Sequence, residues 1–283
     1  MGELKSKRDA AAALIGQLDK QLRCPFCRHV LVWDQSYRFT CAENHSFDLS
    51  KQGSLFLVKQ AANSQYNGPL FQARHNMIQQ FQLYAPIYEP ISLELKNKDV
   101  ILDAGTGEGS HLNELKKRVP DIVPIGLDLS KDGINQAGKL YRDSVWMVGD
   151  LANLPFQNES INVILNILSP SNYAEFKRVL KQGGKLIKVI PGENYLQELR
   201  EYTNETTNVA YSNHQTVALF NQHFSEVQIK TVQYKKELTQ TERQAIVNMS
   251  PLGWSVSAEA KQMYIQEGQS TITIDLTLLI AKA

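Results

Sequence analysis

The 283-residue sequence predicts an α/β fold, a parallel sheet covered by helices, with a small β-rich, metal-binding module ahead of it. Three observations lead there. From Asp99 onward, short apolar runs alternate with helical patterns. The first run leads straight into three glycines spaced two apart, Gly105, Gly107 and Gly109. All three cysteines of the chain fall within the eighteen residues from Cys24 to Cys41. At 42% hydrophobic content, a chain of this length buries a sizeable core as one large domain or two smaller ones.

Taken in order, residues 1–21 read as a polar, Ala-rich helix or a loose arm. Residues 22–58 hold the cysteines and two β-like runs, Val30 to Trp33 and Tyr37 to Thr40. A polar linker, Ala61 to Pro69, precedes a helical stretch from Phe71 to about Leu83. The expected sheet strands are Val100–Asp103, Val123–Leu127, Val145–Val148, Ile161–Leu165 and Lys185–Ile190. After further helices, Val227–Tyr234 and Thr271–Ile280 finish the sheet, the last long enough for an antiparallel partner. The organisation expected is an arm and zinc-binding domain over 1–60, a helical linker over 61–98 and the main α/β domain over 99–283.

Composition narrows the function classes. No run of about 18 apolar residues is present, so no membrane span is expected. The N-terminus is too charged for a secretory signal, and three cysteines cannot form a complete disulfide set. A reducing cytoplasm is therefore expected. The net charge of +1 hides an asymmetry: residues 1–98 hold 12 Lys+Arg against 8 Asp+Glu, and residues 99–283 hold 18 against 21. A polyanion would meet the N-terminal part first.

The cysteines follow Cys24-x2-Cys27, thirteen residues, then Cys41-x3-His45. Two thiolates on a tight knuckle and a second pair across a hairpin can close a tetrahedron around Zn²⁺, and a full Cys3His shell leaves no position open for catalysis. His29 is a rival fourth ligand, but it lies on the knuckle itself, so His45 is preferred. A redox Cys-x-x-Cys would need a strand-to-helix junction, which is missing here.

The glycines after Val100–Ala104 let the backbone approach a ligand and turn into a helix near Ser110. Ser110 breaks the G-x-G-x-x-G dinucleotide fingerprint, leaving NAD as the weaker rival. Asp128 ends the second strand, where a carboxylate can accept ribose hydroxyls. Asp150 and Leu151 end the third, placed to face an adenine amino group and pack on its ring. Asp103 either holds the glycine loop or approaches a methionine amino group. Acid-bearing strand ends in three consecutive βα units, with G-x-G-x-G in the first, are the pattern of a class I Rossmann-like S-adenosylmethionine methyltransferase.

With both motifs in place, the chain resembles the RlmA family of bacterial 23S rRNA (guanine-N1)-methyltransferases from about Leu22 to Ile280. The matching residues include the Cys-Pro-x-Cys knuckle with Cys41 and His45, His45-Ser-Phe-Asp48, Lys51-Gln-Gly53 and Gln72-Ala-Arg74. They continue through Leu102-Asp-x-Gly-x-Gly-Glu-Gly109, Gly126-Leu-Asp-Leu-Ser130, Leu154-Pro-Phe156, Pro191-Gly192 and Met249-Ser-Pro-Leu-Gly-Trp254. The resemblance implies structural zinc in an RNA-recognition domain, S-adenosylmethionine as methyl donor, a 23S rRNA hairpin as substrate and a homodimer. It also carries cofactor roles to Tyr84, Gly107, Glu108 and Tyr195. Tyr195 departs from the family, whose members can carry His there. Its ring preserves stacking but not titration, and both tyrosines can equally be core or rim aromatics.

No general base is evident. Asn166 and Ser169, after the fourth strand, either bond guanine O6 or N2 or end the strand. Arg74, His75 and Arg243 are candidate phosphate contacts. Two alternatives remain at this stage: a small-molecule methyltransferase with a structural zinc knuckle, and a non-catalytic zinc-ribbon RNA-binding protein.

Overall fold

A computed structural model describes residues 6–18, 20–59, 67–203, 211–253 and 256–283. Most of the linker expected from Ala61 to Pro69, the start of the arm, and Trp254 of the Met249–Trp254 motif lie outside the described residues. Helix α1 (Lys7–Ile15) opens on a capping box between Ser6 and Asp9. Strands β1 (Val32–Trp33), β2 (Arg38–Thr40) and β3 (Ser46–Asp48) form a small antiparallel sheet. Then follow β4 (Ser54–Phe56), α2 (Gly68–His75), which runs into a π-helical turn over Asn76–Gln80, and α3 (Ala85–Ser92).

The main body alternates as expected through β5 (Val100–Ala104), α4 (Ser110–Arg118), β6 (Val123–Asp128), α5 (Lys131–Leu140), β7 (Val145–Val148), β8 (Ile161–Ile167), α6 (Tyr173–Val179) and β9 (Leu180–Pro191). It closes with α7 (Gln197–Thr203), α8 (His214–His223), β10 (Val227–Glu237), α9 (Gln240–Met249), α10 (Ala258–Glu267) and β11 (Thr271–Lys282). The eight-stranded sheet has the order β10-β11-β9-β8-β5-β6-β7-β4. Strands β4 to β9 in this sheet pair in parallel, while β11 runs antiparallel to both β9 and β10.

Period-2 alternation divides the apolar residues between the two faces of the sheet. Ile101, Val163, Leu165, Ile187 and Val189 join a core under α2–α4 and α9. Val100, Leu102, Ala104, Ile164 and Leu186 join the opposite one. That second core also holds Ile15, Leu18, Leu22, Cys24, Leu31 and Phe39 from the N-terminal module. A three-stranded sheet with strands of two or three residues cannot bury enough apolar surface alone, so it shares the core of its neighbour.

Strand β4 also joins the main sheet, pairing Ser54 to Phe56 with Trp146 to Val148. Nothing in its three residues announces this in the sequence. It is the edge left open by β7 that selects it. The result places the C-terminal ends of β5, β6, β8 and β9 along one rim, with the cysteine module fixed beside it.

Candidate active site

The four sulfur and nitrogen donors come from two knuckles of similar build. In one, the Cys24 amide donates to the His29 carbonyl at 2.8 Å and Arg28 takes a left-handed φ of 67°. In the other, Cys41 donates to the His45 carbonyl at 3.1 Å and Asn44 has φ 60°. Cys27 Sγ lies 3.4 Å from Cys41 Sγ, and His45 Nδ1 lies 3.4 Å from Cys41 Sγ and 3.6 Å from Cys24 Sγ. All four donor atoms fall within 4.8 Å of one another. With metal–ligand distances of roughly 2.0–2.3 Å, tetrahedral Zn²⁺ needs separations of about this size, so the set fits a closed structural shell. His29 contributes only its backbone.

The module is tied to the rim by a polar seam. Asn153 Nδ2 donates to the Pro25 carbonyl at 2.8 Å, inside the knuckle. Arg23 reaches Asn153 Oδ1 at 3.2 Å and Glu175 at 3.5 Å. Asn153 lies two residues after Leu151, so the knuckle buttresses the turn that follows β7.

Two cavities open at the rim. The smaller, about 370 Å³, is lined by Gly105, Gly107, Asp128, Asp150 and Leu151 together with Phe71 and Arg74. The larger, about 530 Å³, takes in Tyr84, His111, Lys188 and Tyr195. Arg74, Leu168, Ser169 and Pro170 line both and form the wall between them.

The sequence-assigned residues thus divide into three groups. Gly105, Gly107, Asp128, Asp150 and Leu151 meet in the smaller cavity. Tyr84 and Tyr195 stand in the larger one, hydroxyl to hydroxyl at 2.6 Å. Asp103, Glu108 and Gly109 are buried and line neither cavity.

Gly105 and Gly107 have left-handed φ values of 83° and 60°; a Cβ at Gly105 would overlap the Ser169 hydroxyl, and one at Gly107 would press on Phe71. The loop is pinned from below. Gly107 N and Ser130 N each donate to Asp128 at 2.8 Å, and Thr106 Oγ1 donates to Asp103 at 2.6 Å. Burial pushes Asp103 up to about 7 and raises Asp128 as well, against the pull of these hydrogen bonds. Glu108 pairs with Arg74 at 3.0 Å, while its other oxygen, Oε1, is buried with no partner among the described residues. An acceptor left unsatisfied there suits an incoming N–H donor, and the narrow glycine floor suits a close-lying adenosyl group. The residues therefore fit S-adenosylmethionine.

Several candidate contacts turn inward. Asn166 is fully buried: its Nδ2 donates to the carbonyls of Ala104 and Pro170 at 2.9 and 2.8 Å, and its Oδ1 accepts from Ser171 and Lys188. It organises the turn rather than facing the cavity. Arg243 is spent on the carbonyls of Leu238, Ile265 and Gln266, Arg74 is paired with Glu108, and His75 contacts Tyr141 and Ser110. Among the described residues, none of the three presents an unpaired cation to a phosphate. Lys188, which lines the larger cavity, went unassigned in the sequence. The signal was there: a lone lysine between Ile187 and Val189, inside a strand that otherwise reads as buried.

Among known proteins, a family model described as RlmA, N-terminal, a zinc ribbon, matches residues 22–59. A methyltransferase domain model matches residues 101–184. The solved structure of a provisionally named methyltransferase from an antibiotic biosynthesis pathway of Anabaena variabilis shares the fold, with TM-score 0.51, 11% identity, and coverage of 70% of this chain and 97% of that one. Fold and cavities together define a class I, S-adenosylmethionine-dependent methyltransferase carrying a zinc ribbon. Relatives spanning nearly the whole chain refine this. YxjB of Bacillus subtilis strain 168, provisionally named a 23S rRNA (guanine-N1)-methyltransferase, is 35% identical over 269 residues, covering 91% of this chain and 95% of its own. The 23S rRNA (guanine(748)-N1)-methyltransferase of Streptomyces fradiae is 24% identical over 273 residues, 93% of this chain and 97% of its own. The chain belongs to this RlmA-type family of 23S rRNA (guanine-N1)-methyltransferases.

Proposed function

We propose that the protein transfers a methyl group from S-adenosylmethionine to N1 of a guanine in a 23S rRNA hairpin, working as a homodimer in the cytoplasm. One observation carries the reading: two cavities of suitable size share a wall at the rim of the sheet, so a donor and an acceptor base can meet across it.

Gly105, Gly107, Asp128, Asp150 and Leu151 are assigned to the adenosyl part, with Asp103, Glu108 and Gly109 supporting the floor. Tyr84 and Tyr195 are assigned to the end of the cofactor nearest the acceptor. When bound, the cofactor supplies an electrophilic methyl group on a sulfonium. The chain's own residues supply position. Arg74, held by Glu108, and the Leu168–Pro170 turn fix the boundary at which the two cavities meet.

Guanine N1 lies on the Watson–Crick edge, so the base has to be unpaired and turned into the larger cavity. Tyr211, the most exposed of the aromatic residues lining that cavity, offers a ring for stacking there. Cys24, Cys27, Cys41 and His45 are assigned to structural zinc, and the ribbon to hairpin recognition, supported by the excess of basic residues over 1–98.

Mass mapping of 23S rRNA from a deletion strain, with and without the gene restored, tests the reading. Loss and return of one N1-methylguanosine is expected. An unchanged map defeats it, and turnover of a free metabolite without RNA would replace it with a small-molecule reaction. Light scattering tests the dimer, and a monomer at working concentration would remove that part.

A further inference from the structure

Methylating guanine N1 requires the departure of the proton that N1 carries at neutral pH, and the larger cavity contains a group suited to take it. No carboxylate lines that cavity among the described residues. Its ionisable side chains other than Lys188 are Arg74, Tyr84, His111, Tyr173, Tyr195 and Tyr211. Arg74 stays charged beside Glu108. Burial keeps His111 well below its ordinary value, with Tyr88 OH at 2.9 Å from its Nδ1, so it is a weak base. Burial raises all four tyrosines, which therefore remain protonated.

Lys188 is different. It sits on β9, is 4% exposed, and forms no ion pair among the described residues. Its Nζ donates to Asn166 Oδ1 at 2.6 Å, to the Ser169 carbonyl at 3.1 Å and to Ser171 Oγ at 2.6 Å. From β8 it faces Asn166, from the turn Ser169 and Ser171, and across the sheet it pairs with Leu279 of β11. Every close partner among the described residues is neutral. Burial alone lowers its value to about 8, in the range that suits an acid–base group near neutral pH.

Asn166 Oδ1 and the Ser169 carbonyl can only accept, so they retain two N–H groups of the uncharged amine. The lone pair is left for Ser171, which also lines the cavity; its hydroxyl donates to Asn166 Oδ1 at 2.8 Å in this structure and has to turn to Nζ, 2.6 Å away, to relay a proton. Leu168 precedes this turn with a left-handed φ of 52°, a conformation unusual for leucine that brings the serines round to the lysine.

We propose that Ser171 and Lys188 form a proton relay for the acceptor base, with Lys188 as the final proton acceptor behind the serine hydroxyl. The inference rests on the guanine-N1 reading. As the N1–methyl bond forms and the sulfur–methyl bond breaks, with its electron pair left on sulfur, the N1 proton passes to Ser171 Oγ. The serine's own proton passes to Nζ. One positive charge disappears from sulfur and one appears on Lys188, which later releases its proton to solvent, so atoms and charge balance.

Single-turnover rates from about pH 6 to about pH 9, at saturating cofactor, test the relay in the wild type, Lys188→Met, Lys188→Arg and Ser171→Ala. The wild-type rate is expected to rise with pH and level off above about 8. Lys188→Met and Lys188→Arg are expected to lose about a hundredfold to ten-thousandfold in rate and to lack the plateau, as is Ser171→Ala. Calorimetry with S-adenosylmethionine reports whether each variant is folded, and Lys188→Arg keeps a cation at the site if Lys188→Met fails to fold. A folded Lys188→Arg or Ser171→Ala with the wild-type profile, within about threefold in rate, overturns the relay alone. A wild type that methylates no guanine N1 in 23S rRNA overturns the functional reading and the relay with it.

Discussion

The two cavities at the rim share a wall yet are built in different ways. The smaller is made by consecutive βα units: glycines after β5, Asp128 after β6, and Asp150 with Leu151 after β7. Its polar groups are fixed by bonds within one loop or between neighbouring loops, such as Ser130 and Gly107 to Asp128. The larger draws Tyr84, His111, Lys188, Tyr195, Tyr211 and Met249 from segments scattered over more than 160 residues of chain. The smaller cavity is a local motif and the larger a product of assembly, so damage to each should spread differently.

Removing zinc is the severest test of that contrast. Structural zinc supplies on the order of 10 kcal/mol of folding free energy in small zinc-binding modules. Its loss should release Cys24, Leu31 and Phe39 from the shared core, and Asn153 from Pro25. Hydrogen exchange after chelation should show lost protection in 22–59 and in the turn at 150–157, with β9 and β11 still protected. Uniform loss across the sheet would mean the two sides are not separable.

Gly105→Ala strikes the shared wall, placing a Cβ on the Ser169 hydroxyl at a φ of 83°. Cofactor affinity is expected to fall by more than about a hundredfold, since side-chain overlap and left-handed strain add. Calorimetry finding affinity within tenfold of wild type would show that the wall yields.

Asp128→Asn is confined to the smaller cavity. A charged acceptor's bonds are worth about 1.5–3 kcal/mol, so a loss of about tenfold to 150-fold in cofactor affinity is expected, with hairpin RNA binding unchanged. Weakened RNA binding in that variant would couple the two cavities.

The pH dependence is gentler. Burial, opposed by the Thr106 hydrogen bond and Arg74, places Asp103 at about 7, above its unfolded value. A raised carboxyl is protonated below about pH 7, and a cationic amino group nearby needs it ionised. Cofactor affinity should therefore be full above that pH and fall by up to about tenfold per unit below it. A flat profile would confine Asp103 to holding the loop. Smallest of all, Arg243→Ala should leave RNA affinity within about twofold, because its guanidinium caps the carbonyls of Leu238, Ile265 and Gln266.

The same contrast explains what could be read early. The strands from Val100 to Ile280 were legible because apolar runs of the right length alternate with helices. The cysteine shell was legible because ligand spacing is a local constraint, and the two knuckles close as that spacing requires. Strand β4 was hidden, since three residues carry no period and the partner lies some ninety residues away. Arg74, Arg243 and Asn166 looked like ligand contacts because side-chain chemistry is visible in a sequence while side-chain direction is not. Arg243 and Asn166 satisfy carbonyls and an amine of the protein, and Arg74, though it lines both cavities, is paired with Glu108.

The amino-acid sequence alone therefore determined the α/β class, the gathering of Cys24, Cys27, Cys41 and His45, and the glycine turn after β5, each carried by residues close together in the chain. Only the tertiary structure decided that the ribbon shares a core with the sheet, that Arg74 and the Leu168–Pro170 turn divide two cavities, and that Lys188 is buried with no carboxylate partner among the described residues. The reason is physical. Burial and pairing depend on what packs against a side chain, and in this protein those neighbours come from strands and turns far apart in the sequence.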